Sequence, residues 1–192
     1  SPGLTDLNDN GYFFRTAPSD ARGGQILADI TKDRKVKSVA ITYTNNDYGK
    51  GLADVYKAAV EAHGIKVTTV AAHEDGKADY SAEVATLASA GGDAVAVIGY
   101  IDQGGKGIIQ ASLDSGAFDK FILSDGMIGD SLTDNFGKDL NKSFGSLPGS
   151  TGKGAGVFAD VAKAAGIDSS GPYTGESYDA AALITLAMQA GG

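Results

Sequence analysis

Short β-rich runs alternate with helix-length amphipathic stretches along most of this chain. Such a chain has few ways to fold. Successive strands joined by a helix lie parallel, the crossover is right-handed, and helices cover both faces of the sheet. The expected fold class is therefore α/β, a doubly wound parallel sheet. Residues 12–16 read as a strand, and after Pro18 either Ser19 or Asp20 can cap a helix carrying Ile26, Leu27 and Ile30 on one face. Residues 39–43 form a second strand, rich in β-branched and aromatic side chains. The following helix begins near Tyr48, carries Leu52, Val55, Tyr56, Ala59 and Val60 at helical spacing, and stops at Gly64. Residues 65–71 read as a strand, and 81–90 as a helix ended by Gly91-Gly92. The unbroken apolar run 94–98 is what a strand buried on both faces requires. A helix with Ile108, Ile109 and Leu113 closes at Gly116, and residues 121–124 form a further strand. A helix over 131–140 and a last strand over 144–147 follow. After Pro148 the pattern changes. Residues 149–156 are glycine-rich and read as a linker or exposed loop, with helices at about 155–165 and 174–190 beyond.

Composition excludes several classes of function. With 42% hydrophobic residues over 192 positions, the chain can bury a core. A net charge of −8 argues against nucleic acid, which attracts basic surfaces. Cysteine is absent, so there is no disulfide framework and no thiolate metal site. No apolar run approaches the roughly 18 residues of a membrane span. No signal peptide is present, and the first residue is Ser1 rather than Met, which fits removal of an earlier segment.

In a doubly wound sheet all strands end at one edge, and ligands bind outside those carboxyl ends. Past residues 39–43 lies Thr44-Asn45-Asn46-Asp47-Tyr48-Gly49; past 94–98 lies Gly99-Tyr100-Ile101-Asp102-Gln103; past 121–124 lies Asp125-Gly126-Met127. Two tyrosines and a carboxylate on neighbouring strand ends suit a small ligand with an aliphatic part and an ammonium. An aromatic face packs carbons and attracts a cation, and a carboxylate pairs with the charge. On spacing alone the same residues also suit a plain sheet rim, where tyrosines are common and Asp caps loops.

The stretch Asn46-Asp47-Tyr48-Gly49-Lys50-Gly51-Leu52-Ala53 resembles the motif after the first closing-lobe strand of periplasmic leucine/isoleucine/valine-binding proteins. Ser1-Pro2-Gly3-Leu4-Thr5 followed by Tyr12-Phe13-Phe14-Arg15-Thr16 resembles that family's passage from one lobe into the other. Asp79-Tyr80-Ser81-Ala82-Glu83 resembles its Asp-aromatic-Ser helix start, and Gly171-Pro172-Tyr173 with Tyr178-Asp179-Ala180 its late helix. The resemblance runs the length of the chain, in order. It implies one lobe of a two-lobed clamshell that closes on an amino acid. In it Tyr48 packs on the ligand, Tyr100 flanks it, and Asp125 takes the α-ammonium where some members carry Glu. It divides the chain into a ligand-binding lobe, 1–148, and a crossover with two helices, 149–192, belonging to the other lobe. The Ser/Thr groups and amides that hold the ligand carboxylate would lie upstream of Ser1, so the chain is expected to be a truncated piece. Its late helices would then fold back on the lobe or pair with a second copy as a dimer.

The implied function is the solute-binding component of an ABC transporter, periplasmic, delivering a branched-chain type of amino acid to a permease in the inner membrane, with no cofactor, no metal and no catalysis. A sensing clamshell of a regulator or receptor is the alternative. A small serine esterase is a weaker one. Gly129-Asp130-Ser131-Leu132 spells a hydrolase nucleophile motif, but His63 and His73 both precede it, where those hydrolases place their base far downstream. Ser131 is better read as a helix cap with Asp134 three residues on. Asp6-Leu7-Asn8-Asp9-Asn10-Gly11 imitates a calcium loop, but its twelfth position is Ala17 rather than Glu, so it reads as a polar turn. Gly152-Lys153-Gly154 lacks the spacing of a phosphate loop. His63 fits a helix C-terminus, and His73 beside Glu74 and Asp75 reads as a solvated turn.

Overall fold

Five consecutive residues, Ala94–Ile98, are buried to the last side chain, and the sheet is organised around them. In the computed structural model, which describes residues 1–149 and 152–192, this strand (β3) lies centrally in a five-stranded parallel sheet. The others are β1 (Ser38–Thr44), β2 (Lys66–His73), β4 (Phe121–Leu123) and β5 (Phe144–Gly145), in the order β2-β1-β3-β4-β5. Every pair is parallel, as the alternating pattern predicts. The order reverses between β1 and β3, the switch point where such sheets open a crevice.

The chain forms two compact units. The first, Ser1–Asp6 with Ser19–Leu147, holds the sheet and the helices α1 (Asp20–Asp33), α2 (Asp47–Ala62), α3 (Ser81–Ala90), α4 (Lys106–Ser115) and α5 (Asp130–Phe136). Strand alternation sorts side chains to two cores. Val39, Ile41, Ala94, Ala96, Ile98 and Ile122 pack with Leu27 of α1 and with Leu52, Tyr56 and Val60 of α2. Ala40, Val95, Val97, Phe121 and Leu123 pack with Val84, Leu87, Ile108 and Ile109 on the opposite face. Burying each large aliphatic side chain contributes roughly 1.5–3 kcal/mol.

The punctuation works as the sequence suggests. Ser19, one of the two candidates there, caps α1 by accepting the Ala21 N–H; Asn46, which the sequence reading did not single out, caps α2 by accepting the Gly49 N–H at 2.8 Å. Gly64 and Gly116 end their helices at φ +76° and +68°, the left-handed region open to glycine. Two local expectations are overturned. The cap of α5 is Gly129, and Ser131 lies inside the first turn with its hydroxyl buried and without a hydrogen-bond partner, so the capping box does not form. Residues 12–16 form no strand.

Those residues belong to the second unit, Leu7–Pro18 with Pro148–Gly192. A strand needs a neighbour for its ladder, and no other strand lies in this unit among the described residues. Asp9 instead gathers the local amides, accepting from Gly11 N–H at 3.2 Å and from Phe13 N–H, and Thr16 donates to the Glu176 carbonyl at 2.9 Å. Two helices complete the unit, α6 (Lys153–Ala164) and α7 (Thr174–Gly191), with Phe158 and Tyr178 ring centroids 5.1 Å apart. Of the expected linker 149–156, residues 150 and 151 lie outside the described residues, and Lys153 already begins α6. No helix among the described residues is long and apolar enough to cross a membrane.

The α1–α2 contact rests on Gly24. A Cβ there would meet Val55 Cγ1 at 2.8 Å and the Tyr56 backbone nitrogen at 3.2 Å. Gly24→Leu should therefore force the two helices apart and cost about 1–3 kcal/mol, the usual range for overpacking. Urea denaturation would register it as a lower midpoint at unchanged m; a midpoint equal to wild type would show that the helices do not meet there.

Candidate functional site

The three strand-end segments singled out by the sequence meet at the switch point. Tyr48 stands in the first turn of α2, just past β1; Tyr100 follows β3 by two residues; Asp125 follows β4 by two. The Tyr48 and Tyr100 rings stack with centroids 5.2 Å apart and planes at 29°. The Tyr48 hydroxyl donates to Asp125 Oδ1 at 2.7 Å and lies 3.2 Å from Ser124 Oγ. Ser124 is buried and accepts the Gly99 N–H at 3.3 Å, so it ties the end of β4 to the end of β3. Sequence reading took Ser124 only as the end of a strand; its hydroxyl aligns the two loops that carry Tyr100 and Asp125.

Glycine makes the convergence possible. A Cβ on Gly126 would lie 2.3 Å from the Gly99 carbonyl oxygen, and one on Gly49 would lie 2.1 Å from the Thr44 carbonyl oxygen. Real side chains do not approach that closely, so the loops after β3 and β4 touch backbone to backbone, and the turn from β1 into α2 folds tightly on itself. Burial and then the Asp125 carboxylate push the Tyr48 phenol well above its ordinary value. It stays a neutral donor, with its O–H directed at Asp125. Burial, followed by Asp125 and Asp75, raises Tyr100 as well. The chemistry available is a negatively charged edge beside two aromatic faces.

A second polar group lies beneath this edge, and sequence reading misplaced part of it. His73 is the last residue of β2 and 1% exposed, not a solvated turn. The strand runs two residues further than the pattern suggests and carries the imidazole into the interior, while Glu74 and Asp75 stay outside. His73 Nδ1 and Thr42 Oγ1 are 2.8 Å apart, and Nε2 is buried without a hydrogen-bond partner. Around it, Thr44 donates to Asp75 Oδ1 at 2.7 Å and Asn45 to Glu74 Oε1 at 2.6 Å. His63, in contrast, caps α2 and pairs with Asp29 at 2.7 Å.

A cavity of about 470 Å³ lies elsewhere in the same unit, lined by Pro2, Thr5, Asp6, Ser19, Arg22 and Gln25; none of the three strand-end residues borders it. No cluster of three or more metal-ligating His, Asp or Glu groups occurs among the described residues.

The profile of the periplasmic binding protein family matches residues 1–192. A Leu/Ile/Val-binding protein homologue of Brucella melitensis is 40% identical over 93 residues, covering 48% of this chain and 25% of that protein. A second homologue from the same organism is 33% identical over 140 residues, covering 69% of this chain and 37% of the relative. An amino acid binding protein of Pseudomonas aeruginosa is 26% identical along 100% of this chain and 52% of its own length. The chain thus spans about half or less of the length of these relatives. Among solved structures, a leucine binding protein of Thermotoga maritima matches with a TM-score of 0.58 at 22% identity, over 65% of this chain and 35% of that one. An ABC transporter solute binding protein of Rhodopseudomonas palustris, in complex with 4-hydroxybenzoate, matches at 0.73 and 19% identity, over 90% and 49%. At these identities the structural likeness speaks for the fold.

The buried imidazole makes stability depend on pH. Burial lowers its pKa below the ordinary 6.5, against the opposing pull of Asp75, Glu83 and Glu74. The unfolded chain therefore takes up the proton before the folded one does. The stabilisation is complete above pH 6.5 and is lost as pH falls from there through the folded value. Urea unfolding between pH 7.5 and about 5 should show a steeper loss of stability in wild type than in His73→Gln. Parallel profiles for the two proteins would contradict this assignment.

Proposed function

The chain belongs to the periplasmic binding protein family, and on that premise we propose that it carries the ligand-contacting lobe of an extracytoplasmic solute-binding component of an ABC transporter. Its ligand is a small amino acid of the branched-chain type, its location is the periplasm, and its partner is the permease in the inner membrane. It performs no catalysis and needs no cofactor. The observation that carries the reading is the Tyr48–Tyr100–Asp125 group at the switch point.

The physical argument is one of matching. An α-ammonium placed against Asp125 makes a charge-assisted hydrogen bond, about twice the strength of a neutral one. The Tyr48 donor fixes the orientation of that carboxylate in advance. The two stacked rings offer area for an aliphatic side chain and hold their geometry with little entropy to lose. Closure of a two-lobed clamp would follow from contacts that the ligand makes better in the closed state than in the open one. The names of the Brucella relatives point to the same ligand class, and that of the Pseudomonas relative to an amino acid. The 4-hydroxybenzoate held by the Rhodopseudomonas neighbour lacks an ammonium and brings a carboxylate, which Asp125 would repel.

Titration calorimetry of L-leucine into the full-length product of the gene tests this. Asp125→Asn keeps the size and removes the charge, and should weaken binding by about 2–5 kcal/mol. An affinity within twofold of wild type would remove Asp125 from the ammonium role. Preference for 4-hydroxybenzoate over leucine would move the ligand to another class.

The tyrosines should act by ring area. Tyr100→Phe is expected to be mild, and Tyr100→Ala to cost several times more, because the stacked face is what is lost. Equal losses for the two variants would assign the effect to the hydroxyl instead.

A further inference from the structure

Tyr80 precedes α3, and its side chain turns inward, 4% exposed, beneath the loop that carries Tyr100. Its hydroxyl sits among three backbone groups. It approaches the Glu74 carbonyl at 2.9 Å and the Gln103 carbonyl at 3.1 Å, sharing one proton between them, and accepts the Lys77 N–H at 3.2 Å. Glu74 and Lys77 belong to the turn after β2; Gln103 belongs to a π turn, Ile101–Gly105, after β3. One phenol thus bridges two loops that share no strand pairing. The Gly76 N–H reinforces the bridge by donating to the same Gln103 carbonyl at 2.5 Å.

The ring is as closely placed as the hydroxyl. A Cβ on Gly107 would lie 2.3 Å from Tyr80 Cδ2, and one on Gly104 would lie 2.9 Å from the Tyr80 oxygen. The π turn and the start of α4 therefore rest on this ring, with His73 edge-on to it at 6.2 Å between centroids. On its other side the turn is seated against Met127, whose sulfur would stand 2.2 Å from a Cβ on Gly105. Single-turn π segments inside or beside α-helices are rare and tend to mark functional positions. Here the turn begins at the residue after Tyr100, and the Gly105 N–H donates to the Tyr100 carbonyl at 3.0 Å.

We infer that Tyr80 is a positioning residue for the ligand site: its hydroxyl fixes the π turn and through it the rotation of Tyr100 against Tyr48. The inference rests on the reading of Tyr100 as a ligand contact. The hydroxyl is the part that matters. A Phe at this position would fill the same space, leave the Glu74 carbonyl and the Lys77 N–H without this partner, and reduce the tie to the Gln103 carbonyl to the Gly76 N–H alone.

Hydrogen exchange on the 192-residue chain tests it without any ligand. In Tyr80→Phe, amides of 74–80 and 99–107 should exchange about tenfold faster than in wild type, relative to the β3 core amides. Tyr56→Phe removes another buried hydroxyl, the one 3.0 Å from Thr31 Oγ1, and should leave both segments unchanged. Acceleration below threefold in either segment overturns the inference, as does equal acceleration in Tyr56→Phe. Should Tyr80→Phe fail to fold, wild type decides alone: the two segments must open together, with one urea dependence, and independent opening overturns the bridge. A leucine titration into the full-length product separates this inference from the functional reading. Binding unaffected by Tyr100→Ala defeats the reading; binding lost in Tyr100→Ala but unchanged in Tyr80→Phe defeats the inference.

Discussion

Parallel alignment of the strands governs the rest of this structure, because it delivers every strand's carboxyl end to one edge and crowds the loops there. The crowding is resolved by backbone contact rather than side-chain packing. Gly49 lies against the Thr44 carbonyl and Gly126 against the Gly99 carbonyl. A methyl group on Gly126 would part the loops after β3 and β4, and one on Gly49 would open the turn that carries Tyr48. The Tyr48–Asp125 bond spans 77 residues of sequence, and it exists because the loops after β1 and β4 close on the one after β3.

Beneath the edge, polar groups fasten one strand end to the next. Thr42 meets His73 between β1 and β2, Ser124 meets the Gly99 amide between β4 and β3, and Tyr80 joins the turns after β2 and β3. Each is buried, where an unsatisfied group costs more than a made bond gains, so misplacing one loop disturbs its neighbour as well. The surface that presents Tyr48 and Tyr100 is therefore supported by hydrogen bonds in the layer under it. The same layer holds the one buried imidazole whose protonation the folded state resists.

How much of this could be read from the sequence depends on the range of the interaction. The all-apolar run of β3, the glycine stops at Gly64 and Gly116, and the cap at Ser19 are local signals, and each marks what the structure contains. The meeting of Tyr48, Tyr100 and Asp125 was legible because parallel topology alone sends strand ends to one place. The burial of His73 was not, since its polar neighbours Glu74 and Asp75 masked two further residues of strand. The bridge made by Tyr80 depends on a carbonyl 23 residues away, which no periodicity reports. Residues 12–16 failed in the opposite sense: among the described residues of their own unit, their β-prone composition has no sheet edge to pair with.

The electrostatics of the edge follow from the same topology. Asp75 after β2, Asp125 after β4 and Asp20 at the start of α1 all bear on the Tyr100 phenol, and they come from three different elements. A negative potential assembled that way does not depend on any single loop conformation, and it favours the charged end of an ammonium over that of a carboxylate. The N-terminus of α2 works against it locally, because the first turn offers partial positive charge beside Tyr48. Asn46 already occupies the Gly49 N–H there, and Asp47 adds a negative side chain to the same turn. The balance at the switch point thus stays negative, and on the reading proposed above it is this balance, rather than the aromatic area, that would separate an amino acid from an aromatic acid of similar size.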